Sequence, residues 1–81
     1  MRREDIQKFL DVKPFAPIRI FLSDGKYYDV RHPELMLLAR SVMDIGITKR
    51  REGQIVDDIV RVSLLHVVRV ENIERLARKA S

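Results

Sequence analysis

The chain has 81 residues, no cysteine and a formal net charge of +4 at pH 7. This length suits one domain over residues 1–81, and a hydrophobic content of 46% is too high for a disordered protein. The lack of cysteine excludes disulfides, thiolate nucleophiles and thiolate metal sites. There is no apolar run of membrane-spanning length, and acidic residues follow Arg2 and Arg3 where a signal peptide would be apolar. We therefore expect a cytoplasmic protein with no membrane partner.

The N-terminal segment has the spacing of a short amphipathic helix. Ile6, Phe9 and Leu10 recur at helical intervals, and two acidic residues lie in the first turn, where they complement the helix dipole. We predict a helix over residues 3–11. The prolines of the following Pro-Phe-Ala-Pro segment prevent its continuation and hold an extended connector that leads into the first strand.

The segment from Ile18 to Val30 predicts a β-hairpin, because two β-rich runs flank an Asp-Gly turn signal. A three-residue loop that ends with Gly25 in the left-handed conformation places Ile18 opposite Val30 and Ile20 opposite Tyr28 on one face. A two-residue loop would shift the pairing by one residue and mix charge into that apolar face. We therefore predict the three-residue loop.

The middle of the chain is less regular. Residues 34–40 have strong helix propensity after a proline but are few, so either one helical turn or an irregular buried strand satisfies the pattern. Residues 41–48 alternate more clearly and predict a strand, in which Gly46 marks a bulge or a sharp bend. A basic, glycine-containing loop follows at residues 49–54.

Two further β patterns occupy residues 59–63 and 67–71. Only three residues separate them, so they are either antiparallel neighbours or one strand turning a sharp corner. The tail, residues 72–81, has apolar residues at helical spacing with Asn72 as a candidate N-cap. Such a short helix needs docking to be stable.

This order of elements predicts an α+β fold. We expect an N-terminal helix that caps a small, strongly bent antiparallel β-sheet, or a partly open barrel, of about five strands. The β-rich body would cover residues 18–71, between the helix and the short tail.

Four motifs resemble a family of small, uncharacterised bacterial proteins. They are a Pro-Phe-x-Pro lead at residues 14–17, an Asp-Gly hairpin turn at 24–25, His-Pro-Glu at 32–34 and Leu-Leu-His at 64–66. The family implies no activity.

The helix followed by IRIFLSDGKYY also resembles the opening of Sm-like RNA-binding proteins, and VSLLHVVRV resembles their last two strands. This likeness implies an SH3-like bent sheet of five strands, rings built by pairing the last strands of neighbouring subunits, and RNA held by polar loop residues at the pore. The chain departs from that pattern, because it has no Asp-x-apolar-Asn after the second strand and no Arg-Gly before the final strand. His66 alone stands about where the pore-facing loop would be.

The leading hypothesis for function is a non-enzymatic binding or assembly module that forms a homo-oligomer. A closing strand rich in β-branched residues is a template for pairing with a second chain. The residues predicted for self-association are Val67, Val68, Arg69 and Val70.

The alternative hypothesis is an Sm-like nucleic-acid binder, with RNA as the partner. Phosphate contact needs only donors and positive charge, and one dense basic cluster is present. The residues predicted for this role are Lys49, Arg50, Arg51, Arg40, Arg61 and His66.

Neither catalysis, a metal site nor a cofactor is predicted. His32 and His66 are better explained as turn residues than as an acid, a base or zinc ligands, because no third convergent ligand accompanies them. Asp57 and Asp58 form a single acidic pair, which together with the basic cluster predicts a charged, solvated loop. The chain also lacks a glycine-rich phosphate loop and a Gly-x-Ser-x-Gly elbow.

Overall fold

The computed structural model describes residues 1–49 and 56–80. Two helices and six strands occupy this part of the chain, and two short 3₁₀ helices, Pro33–Leu35 and Leu64–His66, connect strands. In chain order the elements are α1 (Arg3–Leu10), β1 (Ile18–Leu22), β2 (Tyr27–Val30), β3 (Met36–Leu38), β4 (Val42–Ile47), β5 (Asp58–Ser63), β6 (Val67–Asn72) and α2 (Ile73–Ala80).

The strands form two three-stranded antiparallel sheets, in the orders β2-β1-β6 and β3-β4-β5, and these do not close into a barrel. The α+β class is confirmed, whereas the single bent sheet of about five strands is replaced by six strands in two sheets. Proline cannot donate to a ladder. Pro33 therefore interrupts what would be one bent strand, and the chain passes from β2 into the second sheet as β3.

The hairpin has the predicted loop and register. Ile18 pairs with Val30 and Ile20 with Tyr28. The amide of Leu22 donates to the carbonyl oxygen of Lys26 at 2.9 Å. Gly25 has a φ of 88°, a conformation that only glycine adopts without a steric penalty. The turn chemistry thus determines which side chains of β1 face the core.

The core lies between the inner faces of the two sheets. β1 contributes Ile18 and Ile20, and β4 contributes Met43 and Ile45, all four completely buried. Helix α1, predicted over residues 3–11, closes this core with Ile6, which is also 0% exposed. The other buried apolar side chains are Val30, Met36, Val62, Leu64, Val67 and Val70.

The ambiguous segment after the hairpin combines both predicted alternatives, because the 3₁₀ helix Pro33–Leu35 precedes the strand β3. Within β4 the bulge predicted at Gly46 is wrong, since this residue pairs with Ile59 in an unbroken ladder. A Cβ at Gly46 would lie 3.1 Å from Cγ2 of Val56 and 3.3 Å from the carbonyl oxygen of Leu35. Close packing of neighbouring segments, rather than a bulge, explains the glycine.

The corner between β5 and β6 follows one of the two predicted alternatives. β5 pairs with β4 and β6 pairs with β1, so the chain changes sheets at Leu64–His66. The amide of Leu64 donates to the carbonyl oxygen of Ser41 at 3.0 Å, and the hydroxyl of Ser63 accepts from the amide of Leu65 at 3.3 Å. The first bond holds the corner against the turn between β3 and β4, and the second stabilises the corner itself.

The tail forms the predicted helix, α2, directly after β6. The amide of Ile73 donates to the carbonyl oxygen of Pro17 at 3.0 Å, which extends the pairing of β6 with the start of β1 by one bond. Ile73 and Leu76 are half-buried, and Ala77 is exposed. Only part of the apolar stripe is therefore covered.

We expect Gly25→Ala to destabilise the protein by about 1–2 kcal/mol, because a Cβ is disfavoured at this positive φ. No heavy atom lies within 4 Å of the position of that Cβ, so the loss would reflect the backbone alone. Gly25→Asn is the control and should lose less, since asparagine tolerates the left-handed region. Urea denaturation measures both variants, and equal losses would contradict this explanation.

We expect Ile20→Ala to cost about 2–5 kcal/mol, because the side chain is 0% exposed at the centre of the core and its removal leaves a cavity. Leu65→Ala is the control, since Leu65 is 91% exposed and should change the free energy of unfolding by less than about 0.5 kcal/mol. A small loss for Ile20→Ala in chemical denaturation would show that the core collapses around the smaller side chain.

Candidate binding surfaces

The strand β6, predicted to mediate self-association, is an edge of its sheet. It pairs with β1 on one side, and no strand of the described ranges lies on its other side. Val67 and Val70 are buried in the core, so only Val68, 58% exposed, and Arg69 present side chains at the surface. Self-association through β6 would therefore use its backbone together with these two side chains.

An irregularity in the ladder explains why Val67 and Val70 are both buried although they are three positions apart on β6. Leu22 pairs with Val67 but Phe21 pairs with Arg69, so Val68 is the extra residue of a β-bulge. A bulge disrupts the alternation of faces locally. Val67 and Val70 consequently both pack inward while Val68 and Arg69 both remain exposed, which period-two alternation alone does not predict.

The outer face of the sheet that contains β6 carries stacked arginine and aromatic side chains. The guanidinium of Arg19 lies 4.1 Å from the ring centroid of Tyr27, and that of Arg69 lies 3.9 Å from the centroid of Phe21. The Phe21 and Tyr27 rings are 6.1 Å apart between centroids. The hairpin register places these two rings opposite each other, and Arg69 reaches them because β6 lies next to β1.

Carboxylates neutralise the arginines of this face. Arg19 donates to both carboxylate oxygens of Asp29, at 2.7 and 3.0 Å, and Arg69 donates to Glu71 at 3.4 Å. The hydrogen bond and charge of Asp29 raise the pKa of Arg19. The face therefore offers apolar and cation–π contacts with little net positive charge.

The residues predicted for nucleic-acid binding do not form one surface in the described part of the chain. Arg50 and Arg51 lie outside the described residues. Arg40 precedes β4 and Lys49 follows it, so the whole strand, about 16 Å from first to last residue, separates them. The backbone amide of Lys49 donates to Asp57, and Asp58 accepts from the amide of Ile59. The acidic pair is thus engaged with the backbone of its own loop and strand.

Arg61 is paired across the sheet. Arg61 on β5 donates to both carboxylate oxygens of Asp44, at 2.8 and 3.1 Å, and Asp44 is its register partner on β4. The hydrogen bond with Asp44 raises the pKa of Arg61, and the same bond lowers the pKa of Asp44. Arg61 remains largely exposed, but its charge already has a partner.

His66 lies beside the hairpin loop. The amide of Ser23 donates to the carbonyl oxygen of His66 at 2.8 Å, and the hydroxyl of Ser23 is 3.4 Å from Nδ1 of the ring. Arg61 and Lys26 line the same groove of about 340 Å³. A nucleophile–base pair is normally oriented by a third group. Within the described ranges no carboxylate hydrogen-bonds to this imidazole, and no group of three potential metal ligands occurs.

Arg40 belongs to a second groove that the sequence pattern did not indicate. This groove, about 670 Å³ in volume, lies between the start of α1, the turn between β3 and β4, and the corner at Leu64–His66. Arg2 and Arg3 also line it. Three sequence-distant segments supply its lining, so periodicity and motif searches could not have found it.

No known family model matches the chain, and neither the curated proteins nor the solved structures gave a match. Among the described helices, none has the length and apolar character needed to cross a membrane. Function must therefore be inferred from the residues and surfaces of this chain alone.

The Asp44–Arg61 pair has a testable dependence on pH. Because the folded pKa of Asp44 is lowered, the pair's stabilisation is fully present above the ordinary carboxyl pKa of about 3.9 and is lost as the pH falls through the lower folded value. We expect the wild type to melt at a higher temperature than Asp44→Asn near neutral pH. The difference should shrink towards zero as the solution is acidified.

Arg61→Gln serves as the control for this prediction. It removes the partner that lowers the pKa, so it should abolish the pH-dependent advantage in the same way, and adding Asp44→Asn to it should cause no further loss. Thermal denaturation by circular dichroism across the acid range measures all four proteins. A difference between the wild type and Asp44→Asn that does not change with pH would contradict the expectation.

Proposed function

We propose that this chain is a non-enzymatic, cytoplasmic binding and assembly module that self-associates through the free edge of β6. The observation that carries the proposal is the position of β6 at the edge of its sheet, with Val68 58% exposed. An unpaired strand edge is a template for pairing with another strand, and backbone hydrogen bonds provide most of the affinity in such contacts.

The phase of the ladder supports this proposal. Residues opposite each other on antiparallel strands alternate between hydrogen-bonded and non-hydrogen-bonded pairs. The bond from the amide of Ile73 to the carbonyl oxygen of Pro17 makes these two residues a hydrogen-bonded pair. Counting back along β6, Asn72 and Val70 then stand in non-hydrogen-bonded pairs, so their backbone N–H and C=O groups point away from β1. The N-terminal ammonium lies 3.5 Å from the carbonyl oxygen of Val67. The open stretch of β6 therefore begins after that residue.

The surroundings of this edge also suit an incoming strand. A groove of about 500 Å³ lies between α1 and the end of β6, with Phe9, Val12 and Ala16 in its lining. An added strand would place apolar side chains against this wall. The strand β5 of a second copy is a matching partner, because it is also an edge, has six residues like β6 and carries Ile59 at 66% exposure.

A finer description of the fold belongs to the same proposal. If β2 and β3 are counted as two halves of one strand interrupted by Pro33, the strands number five and follow a helix, as the Sm-like and SH3-like resemblance implies. The first and last strands are neighbours, and a short 3₁₀ helix joins the last two. Both features support this description.

Nucleic-acid binding is the second candidate function, and one observation favours it. Arg40, one of the predicted contact residues, shares its groove with Arg2 and Arg3. Titration of the wild type with single-stranded RNA and duplex DNA over a range of salt concentrations tests this function. Phosphate neutralisation predicts a linear fall of log affinity with log salt, and absence of binding at low salt would eliminate it.

We expect Val68→Lys to weaken self-association at least tenfold, equivalent to about 1.4 kcal/mol, because a charged side chain on an open edge opposes strand pairing. Size-exclusion chromatography with light scattering at micromolar concentration measures the change. The wild type should run as an oligomer and the variant should shift towards the monomer, with an unchanged circular dichroism spectrum.

Leu65→Lys is the matched control. It adds the same charge three residues earlier, at a position that is 91% exposed but lies outside the strand, so the oligomer should persist. The proposal would be overturned if the wild type were a strict monomer at all salt concentrations. It would equally fail if both lysine variants dissociated the oligomer to the same extent.

A further inference from the structure

The groove at the start of α1, hereafter the arginine groove, collects positive charge from separate parts of the chain. Arg2, Arg3 and Arg40 line it, and Glu4 is the one acidic residue that the described part of the chain contributes to its lining. Arg2 is the N-cap of α1 and its side chain makes no capping bond, and the positive end of the helix dipole adds to the charge of the three guanidinium groups. Glu4 and Asp5 in the first turn offset part of this positive charge. The groove is therefore a second basic site of the chain, besides the cluster of Lys49, Arg50 and Arg51 in the sequence.

The arginines of this groove differ from those on the sheets. Arg19, Arg61 and Arg69 each form an ion pair with a carboxylate. By contrast, none of the three groove arginines forms an ion pair with any acidic side chain in residues 1–49 or 56–80, and all three are exposed. Their hydrogen-bond donors are consequently available to an anion from solution.

The shape and apolar wall of the groove indicate what kind of anion fits. Leu65 lines it and is 91% exposed, and the half-buried Leu38 lies in the same lining. Pockets for small ligands usually bury most of the ligand surface. In this groove the arginine side chains are all exposed, which suits a polymer that lies along the groove and is held at several phosphates. The apolar side chains beside the arginines offer a surface for the bases of that polymer.

We propose that the arginine groove binds the phosphate backbone of single-stranded nucleic acid. The guanidinium fork bonds phosphate oxygens in a bidentate way, and an unpaired strand can turn a base onto Leu65, which a duplex cannot do without unstacking. This inference rests on the second proposed function for its ligand class and assigns a surface to it. It does not depend on self-association, because the groove lies outside the open stretch of β6.

The test is fluorescence anisotropy of the full chain with a labelled single-stranded RNA of about 12 nucleotides, within the range of single-strand binding sites. Three phosphate contacts predict a slope of log affinity against log salt of about −2. Arg2→Gln, Arg3→Gln and Arg40→Gln should each reduce the magnitude of that slope by about 0.7, and the triple variant should lose at least tenfold in affinity at low salt. Arg→Lys replacements at these positions should keep most of the slope, since the charge remains.

Arg31→Gln is the matched control, because Arg31 is also exposed, forms no ion pair in the described ranges and follows β2 away from the groove. It should bind within about twofold of the wild type, given that screening limits the effect of a distant charge. Equal losses for Arg31→Gln and Arg40→Gln would overturn the proposal in favour of non-specific attraction. Undiminished binding by the triple variant would show that the arginine groove is not the binding site, while nucleic-acid binding by the protein would remain supported.

Further binding measurements distinguish single-stranded RNA from other ligands that carry phosphate. Binding of a mononucleotide as tight as that of the oligonucleotide would replace the polymer with a small ligand and overturn the proposal. Preference for an RNA duplex would overturn the single-strand requirement. Binding to anionic phospholipid vesicles without binding to RNA would also overturn it. No RNA binding by the wild type at low salt would remove both this inference and the second proposed function, while leaving the self-association result unaffected.

Discussion

The structure depends on the central position of β1 in its sheet. One side of β1 pairs with β2 through a hairpin whose register requires the positive φ of Gly25, and the other side pairs with β6 from the far end of the chain. The local turn orients Ile18 and Ile20 inward, and that orientation in turn dictates which residues of β6 complete the core. A one-residue slip would reverse every face, so a single turn controls the core and the open edge together.

The distribution of ion pairs divides the surface into neutralised and available regions. Cross-strand carboxylates engage Arg19 and Arg61, which are rigidly placed by regular pairing at adjacent register positions. The three arginines of the arginine groove lie instead at the start of a helix and in a turn, outside the paired strands. Basic residues there have few carboxylates within reach. Whether an arginine can bind an anion from solution thus depends on its place in the fold rather than on the number of basic residues in the chain.

Local patterns predicted most of the elements. Period-two and helical spacing, together with the turn signals, identified α1, the hairpin, β4 to β6 and α2. The pattern did not predict the division into two sheets, since the effect of Pro33 depends on where the second half of that bent strand finds partners. It also assigned a bulge to Gly46, whose neighbours Val56 and Leu35 come from other segments. The bulge that does form, at Val68, reflects its alignment with Phe21 and Leu22.

The sequence by itself determined the hairpin register, the helical and extended segments and the absence of thiol chemistry, because each depends on residue type or on near neighbours. Only the tertiary structure decided that β6 is an edge, that Arg61 is neutralised by Asp44, and that Arg2 and Arg3 lie in one groove with Arg40. The last pairing joins positions nearly forty residues apart along the chain. Such contacts arise from packing two sheets and a helix around a shared core, and no local pattern encodes them.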